Sequence, residues 1–84
     1  MSNETRANLA ADKVCDELRR ITGRPFRCSM YVAGIQVQAQ IIEQTTTNEI
    51  ESGQFGAYCI YAASDYKHME YLMNGIANTL RLVR

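Results

Sequence analysis

From Ile35 to Ile41 apolar and polar residues alternate without a break, with Ile35, Val37, Ala39 and Ile41 set against Gln36, Gln38 and Gln40. A period of two sends every second side chain to the same side, so the run predicts a strand with one apolar face and one amide-rich face. The preceding stretch has the same period: Phe26, Cys28, Met30 and Val32 alternate with Arg27, Ser29 and Tyr31. Ala33-Gly34 interrupts the pattern between the two runs, which predicts a tight antiparallel hairpin.

On either side of these strands the period lengthens. Behind Ser2 and Asn3, both good N-cap residues, Ala7, Ala10, Ala11, Val14, Leu18 and Ile21 recur at three- and four-residue steps. They predict an amphipathic helix with Arg6, Lys13, Asp16 and Arg20 on its other side. It ends near Thr22, where Gly23 supplies a left-handed cap and Pro25 forbids continuation. A second helix starts at Ser64 or Asp65 and runs to the chain end, with Met69, Leu72, Met73, Ile76, Leu80 and Val83 as its apolar stripe. Gly75 lies inside it at a cost of about 1 kcal/mol relative to alanine, and the simplest reading is that another backbone packs close there.

Residues 55–62 are aromatic and β-rich enough for a third strand, but Phe55, Cys59 and Tyr61 fall on one face and Tyr58 and Ile60 on the other, so its inward face stays open. Residues 45–53 are polar, carry Glu49 and Glu51, and read as an exposed acidic loop. The predicted order is helix, three-stranded antiparallel meander, helix. This is an α+β fold (αβββα) with both helices on one sheet face and residues 1–84 forming a single small domain. The uncovered face then shows Arg27, Ser29, Tyr31, Gln36, Gln38 and Gln40.

Eighty-four residues build one small core. Such a core is marginally stable, and an open meander has unprotected edges, so a homodimer is expected. Nine Lys and Arg balance nine Asp and Glu, which removes the positive field that draws nucleic acids or anionic membranes. The N-terminus lacks the basic and apolar pattern of a signal peptide, and no run approaches the ~20 apolar residues of a membrane span. A cytoplasmic placement is expected, in the host cytoplasm if the chain is phage-encoded. Cys15, Cys28 and Cys59 are odd in number and free of CxxC spacing. They read as buried, reduced, structural thiols, without a metal even when His68 is added to the set.

No nucleophile with a base, matched carboxylate pair or phosphate-cradling glycine loop is spaced as its chemistry requires, so the chain reads as non-enzymatic and without cofactor. His68, in a polar first helical turn with Asp65, Tyr66 and Glu70, reads as solvated surface. The one charge feature is Arg19, Arg20, Arg24 and Arg27, which either complement a helix dipole or form a patch for an acidic partner. With Tyr31, Gln36, Gln38 and Gln40 they make up the candidate partner-binding residues, since amides and tyrosine give contact area without charge desolvation.

The element order resembles that of the double-stranded RNA-binding domain, a resemblance that implies duplex RNA contacts from the first helix, a hairpin loop and a basic start to the last helix. Here the turn is only Ala33-Gly34, and the last helix opens Asp65-Tyr66-Lys67-His68 with a single lysine. The expected function is therefore a small protein-binding module. It is similar in size and economy to phage or mobile-element accessory proteins that inhibit a host machine by binding it. A nucleic-acid binder ranks second and an enzyme last, and what the protein captures from a lysate separates the three.

Overall fold

The structure is a computed structural model that describes residues 1–43 and 57–83. Its elements follow the expected order: α1 (Asn3–Thr22), β1 (Phe26–Ala33), β2 (Gln36–Glu43), β3 (Ala57–Ala63) and α2 (Tyr66–Leu82). The strands form an antiparallel sheet in the order β1-β2-β3, and both helices pack on one of its faces. The acidic loop expected over 45–53, together with Phe55, lies outside the described residues. Among the described residues no helix is long and apolar enough to cross a membrane.

The helix ends use the chemistry their residues offer. Ser2 Oγ accepts the Thr5 amide at 3.2 Å, and Gly23 closes α1 with φ 70° while its amide reaches Arg19 O at 2.8 Å. Asp65 caps α2 by accepting the His68 amide at 2.8 Å. In the hairpin, Ala33 pairs with Gln36, which leaves Gly34 and Ile35 as the loop. Gly34 has φ 64° and, among the described residues, no non-glycine residue, Ile35 included, has a positive φ, the signature of a type II′ turn. Ile35, expected to open β2, is therefore the second turn residue and is 94% exposed. The turn needs its glycine first, which displaces the strand start by one residue.

The two helices run parallel. Arg6 Nη2 lies 2.9 Å from Glu70 Oε1 and Arg81 Nε lies 3.6 Å from Glu17 Oε1, pairs with the same sequence offset near opposite ends of the helix layer. Ala7, Ala10 and Ala11 line the buried face of α1, and methyl-sized side chains let α2 approach closely enough to bury Met69, Met73 and Ala77 completely or nearly so. Val14 and Cys15 continue this contact toward the sheet, whose centre is Val37, Ala39 and Ile41 of β2.

Register settles the face of β3 that sequence left open. Cys59 pairs with Ile41, Tyr61 with Ala39 and Ala63 with Val37, so these three share the helix-covered side, while Ile60 turns the other way and is 50% exposed. Two expectations fail here. Gly75 has no close neighbour, because a β-carbon built there meets open space. The three cysteines are not uniformly buried: Cys15 is buried, Cys28 intermediate and Cys59 exposed. The cause of the last is that α2 leans on α1 far more than on β3, which opens a cleft of about 300 Å³ between Ile76 and Leu80 on one wall and Cys59 and Tyr61 on the other.

Candidate partner-binding surface

The side of the sheet away from the helices carries Arg27, Ser29 and Tyr31 from β1, Gln36, Gln38 and Gln40 from β2, and Ile60 and Ala62 from β3. Their common orientation follows from register alone: Tyr31 pairs with Gln38, Ser29 with Gln40 and Ala33 with Gln36, and Gln40 pairs in turn with Ile60. Opposed residues of an antiparallel pair project to the same side.

Tyr31 organises the middle of this face. Its hydroxyl donates to Gln38 Oε1 at 2.8 Å and accepts from Gln40 Nε2 at 3.3 Å. One phenol thereby fixes two amide side chains that would otherwise rotate freely, which lowers the entropy a partner must remove on docking. Each glutamine keeps further donor and acceptor capacity for an outside group. Beside this polar trio, Ile60 contributes exposed apolar area. An aromatic anchor, satisfied amides and a little aliphatic surface are the composition of protein-binding patches.

The arginine cluster does not assemble into one patch. Arg19 donates through Nε and Nη2 to Phe26 O at 3.0 and 2.6 Å and pairs with Asp16 at 2.6 Å. Its job is local: it satisfies a carbonyl at the start of β1 and ties α1 to the sheet. Arg20 pairs with Glu17 at 2.7 Å, and that neighbour, then Arg81, holds the Glu17 carboxyl below its ordinary pKa. Arg24 reaches Glu43 at 2.8 Å; the carboxylate side chain is only 11% exposed, so Arg24 supplies the partner a buried charge requires. Arg27 alone lies on the amide face, with no ion pair among the described residues. Of the eight sequence candidates, the open face thus unites Arg27, Tyr31, Gln36, Gln38 and Gln40 and excludes Arg19, Arg20 and Arg24.

Ile60 belongs to this surface and was left unassigned in sequence, because it sits in a run where both faces are apolar. Val32 is exposed as well but keeps the inward parity, on the other side of the sheet. His68 is exposed, as expected, and its Nδ1 lies 3.1 Å from the capping Asp65. The His68 amide, before any charge, keeps the Asp65 carboxyl below its usual range. Among the described residues no three His, Cys, Asp or Glu side chains gather as metal ligands would.

No family model, curated protein or solved structure matches the chain, so the chemistry of this face carries the functional reading by itself.

Proposed function

We infer that the protein is a small protein-binding module that docks a partner protein on the open face of its sheet. The observation that carries this reading is the Tyr31 hydroxyl held between Gln38 and Gln40. The arrangement is pre-organised, polar yet uncharged, and shares its face with exposed Ile60 and the cation of Arg27. The partner patch that complements it is polar with acidic character opposite Arg27. Action by occupancy, without chemistry, suits an accessory protein of phage or mobile-element type that inhibits a larger host machine, the reading favoured by the chain's size. The homodimer expected from the small core fits beside it, because pairing along the outer edge of β1 leaves the amide face free.

RNA binding is disfavoured by the pairing of Arg19, Arg20 and Arg24 with carboxylates of the same chain, since phosphate contacts need cations that are not already neutralised. The test is capture from bacterial lysate by immobilised wild-type protein and by Tyr31→Ala with Gln38→Ala. A protein held by the wild type and lost by the variant, with both equally folded by circular dichroism, supports the reading. Equal retention by both, or nuclease-sensitive nucleic acid on the beads, overturns it.

A further inference from the structure

The sheet has two outer strands, and a second copy pairing along either one leaves the amide face free; the two edges differ in what else they offer. Hydrogen-bond direction follows from the hairpin. Its two-residue loop makes Ala33 and Gln36 a bonded pair, and bonded and non-bonded pairs alternate from there. Along β1 the even-numbered residues therefore aim their backbone groups outward. Phe26 obeys this rule, since its carbonyl accepts the Arg19 guanidinium, and that side chain with its partner Asp16 closes one end of the β1 edge. By the same count β2 bonds to β3 at Cys59, Tyr61 and Ala63, so Tyr58, Ile60 and Ala62 hold their N–H and C=O groups outward. Among the described residues no side chain does at this edge what Arg19 does at the other.

The free edge of β3 continues upward into an uncharged side of α2. α1 packs over β1, whereas α2 packs over β2 and β3. Glu70 and Arg81 mark the side of α2 that meets α1, through Arg6 and Glu17. At about 100° per residue, the side turned away from α1 and toward the outer edge of β3 carries Leu72, Ile76 and Thr79. No Asp, Glu, Lys or Arg lies there, and none occurs in β3. Below it are the cleft between Ile76 and Cys59 and then Ile60, half exposed on the sheet's other face.

We propose that a second copy of the chain pairs antiparallel along the outer edge of β3, about a two-fold axis through Ile60, which joins the two three-stranded sheets into one and brings the two α2 helices together above the seam. The occupant of such an edge must be a strand, because its exposed groups are backbone donors and acceptors. This strand suits itself. Centred on Ile60, the axis sets Tyr58 opposite Ala62 and Ile60 opposite its own copy, so every outward N–H and C=O of the edge finds a partner. Opposed side chains then match: Ile60 covers Ile60 on the amide side, and exposed Cys59 meets Tyr61 on the helix side. No charge is desolvated on either element. Strand edges alone bury little area, and the Leu72–Ile76 side of each α2 supplies the rest of the about 1,200–2,000 Å² that a specific dimer needs.

This assigns the seam of the homodimer described with the proposed function, and it stands apart from the docking of a foreign protein. Both Tyr31 trios fall on the same side of the joined sheet, so a docked partner meets the surface twice.

The test uses light scattering and cross-linking. Wild-type protein at tens of micromolar should show twice the chain mass, and Cys59 should react with a thiol reagent more slowly as concentration rises. In a Cys59→Ser background, Ile60→Cys should form a disulfide-linked dimer under mild oxidation, whereas Val32→Cys, exposed on the β1 edge, should not. Ile60→Glu opposes two like charges across the axis and should give single chains with an unchanged circular dichroism spectrum. Ala62→Glu repeats that test at a second exposed position. Single-chain mass for the wild type, with or without a foreign protein on the edge, overturns the proposal. So does a dimer linked through Val32→Cys and not Ile60→Cys, or one that survives both glutamate variants. Capture of a lysate protein through Tyr31 by the single-chain Ile60→Glu variant is read separately, so the seam and the docking surface fail independently.

Discussion

Tyr31 and Gln38 stand directly opposite each other in the β1–β2 register, and the tyrosine hydroxyl donates to the Gln38 amide oxygen at 2.8 Å. Both residues lie at the surface, so the bond does little for the fold: net hydrogen-bond contributions of ~0.5–1.5 kcal/mol shrink where water competes. Its consequence is orientation. Tyr31→Phe keeps the ring and frees both glutamines, and we expect melting to change by no more than that of a typical surface substitution, about ±0.5 kcal/mol. Partner capture should weaken several-fold, because the amides must then be ordered on binding. Urea denaturation and a binding titration of the two proteins check the two halves separately.

Gly75 gives a stability prediction of opposite sign. A β-carbon there meets open space and the residue sits inside α2, so Gly75→Ala should stabilise the fold by about 0.5–1 kcal/mol through helix propensity and a less flexible unfolded chain. A urea midpoint that rises at constant slope is the expected result. A fall would mean that the glycine is needed for contact with something outside the protomer.

Met73 is fully buried between the helices. Its replacement by alanine should cost about 2–5 kcal/mol, which for a small domain with total stability of about 5–15 kcal/mol removes a large share. Thermal melts should show a marked drop in midpoint, and Met73→Leu should recover most of it, since it nearly conserves volume.

The three thiols should label at distinct rates in the native reduced protein. Cys59 is exposed, Cys28 intermediate and Cys15 buried, so an excess of a thiol-reactive disulfide reagent should modify Cys59 first and Cys15 last. Substitution of Cys59 by serine should remove the fast phase alone. Its loss should perturb stability little, because it lies beside the open cleft and not in the closed core.

Acid should loosen the protein through two carboxyls. Glu17 is held below its ordinary value of 4.5 chiefly by Arg20, and Asp65 below its ordinary value of 3.8 chiefly by the His68 amide. A lowered folded pKa means the unfolded chain binds protons first as pH falls, so the stabilisation is complete above the unfolded values and is lost as pH falls through the folded ones. Melting temperature should stay flat from these two groups down to about pH 5 and then decline. Glu17→Gln with Asp65→Asn should flatten the decline and lower the neutral-pH value, and added salt should reduce the share of exposed Asp65 more than that of the largely covered Glu17.

What was legible in the sequence is what local patterning dictates. The uninterrupted alternation through Gln36–Ile41 fixed β2 and its outward amides, and Gly23 and Asp65 marked helix ends by conformational and capping chemistry found nowhere else nearby. Residues whose role depends on a distant neighbour were not legible. Arg24 looked like part of a basic cluster because nothing in its vicinity reveals that Glu43, at the far end of β2, is buried and requires it. Ala77 escaped the α2 stripe because alanine suits either side of a helix. Its burial follows only from the alanine face that α1 presents. Cys59 has the inward parity and an apolar setting, yet stays exposed because α2 prefers α1 to β3, a matter of helix placement that periodicity does not encode.

The parallel pairing of α1 with α2 also bears on how the chain comes off the ribosome. The alanine face of α1 waits through synthesis of the entire sheet before Met69 and Met73 arrive to cover it, so the main helix–helix interface joins the earliest element to the latest. Closing so long a loop is slow relative to hairpin formation. The nascent chain accordingly holds a β1–β2 hairpin and a helix with an uncovered apolar face together, and the step that completes the core is the docking of α2. Until α2 has emerged, α1 stays open to chaperones, and the docking of Met69 and Met73 closes that window in one cooperative event.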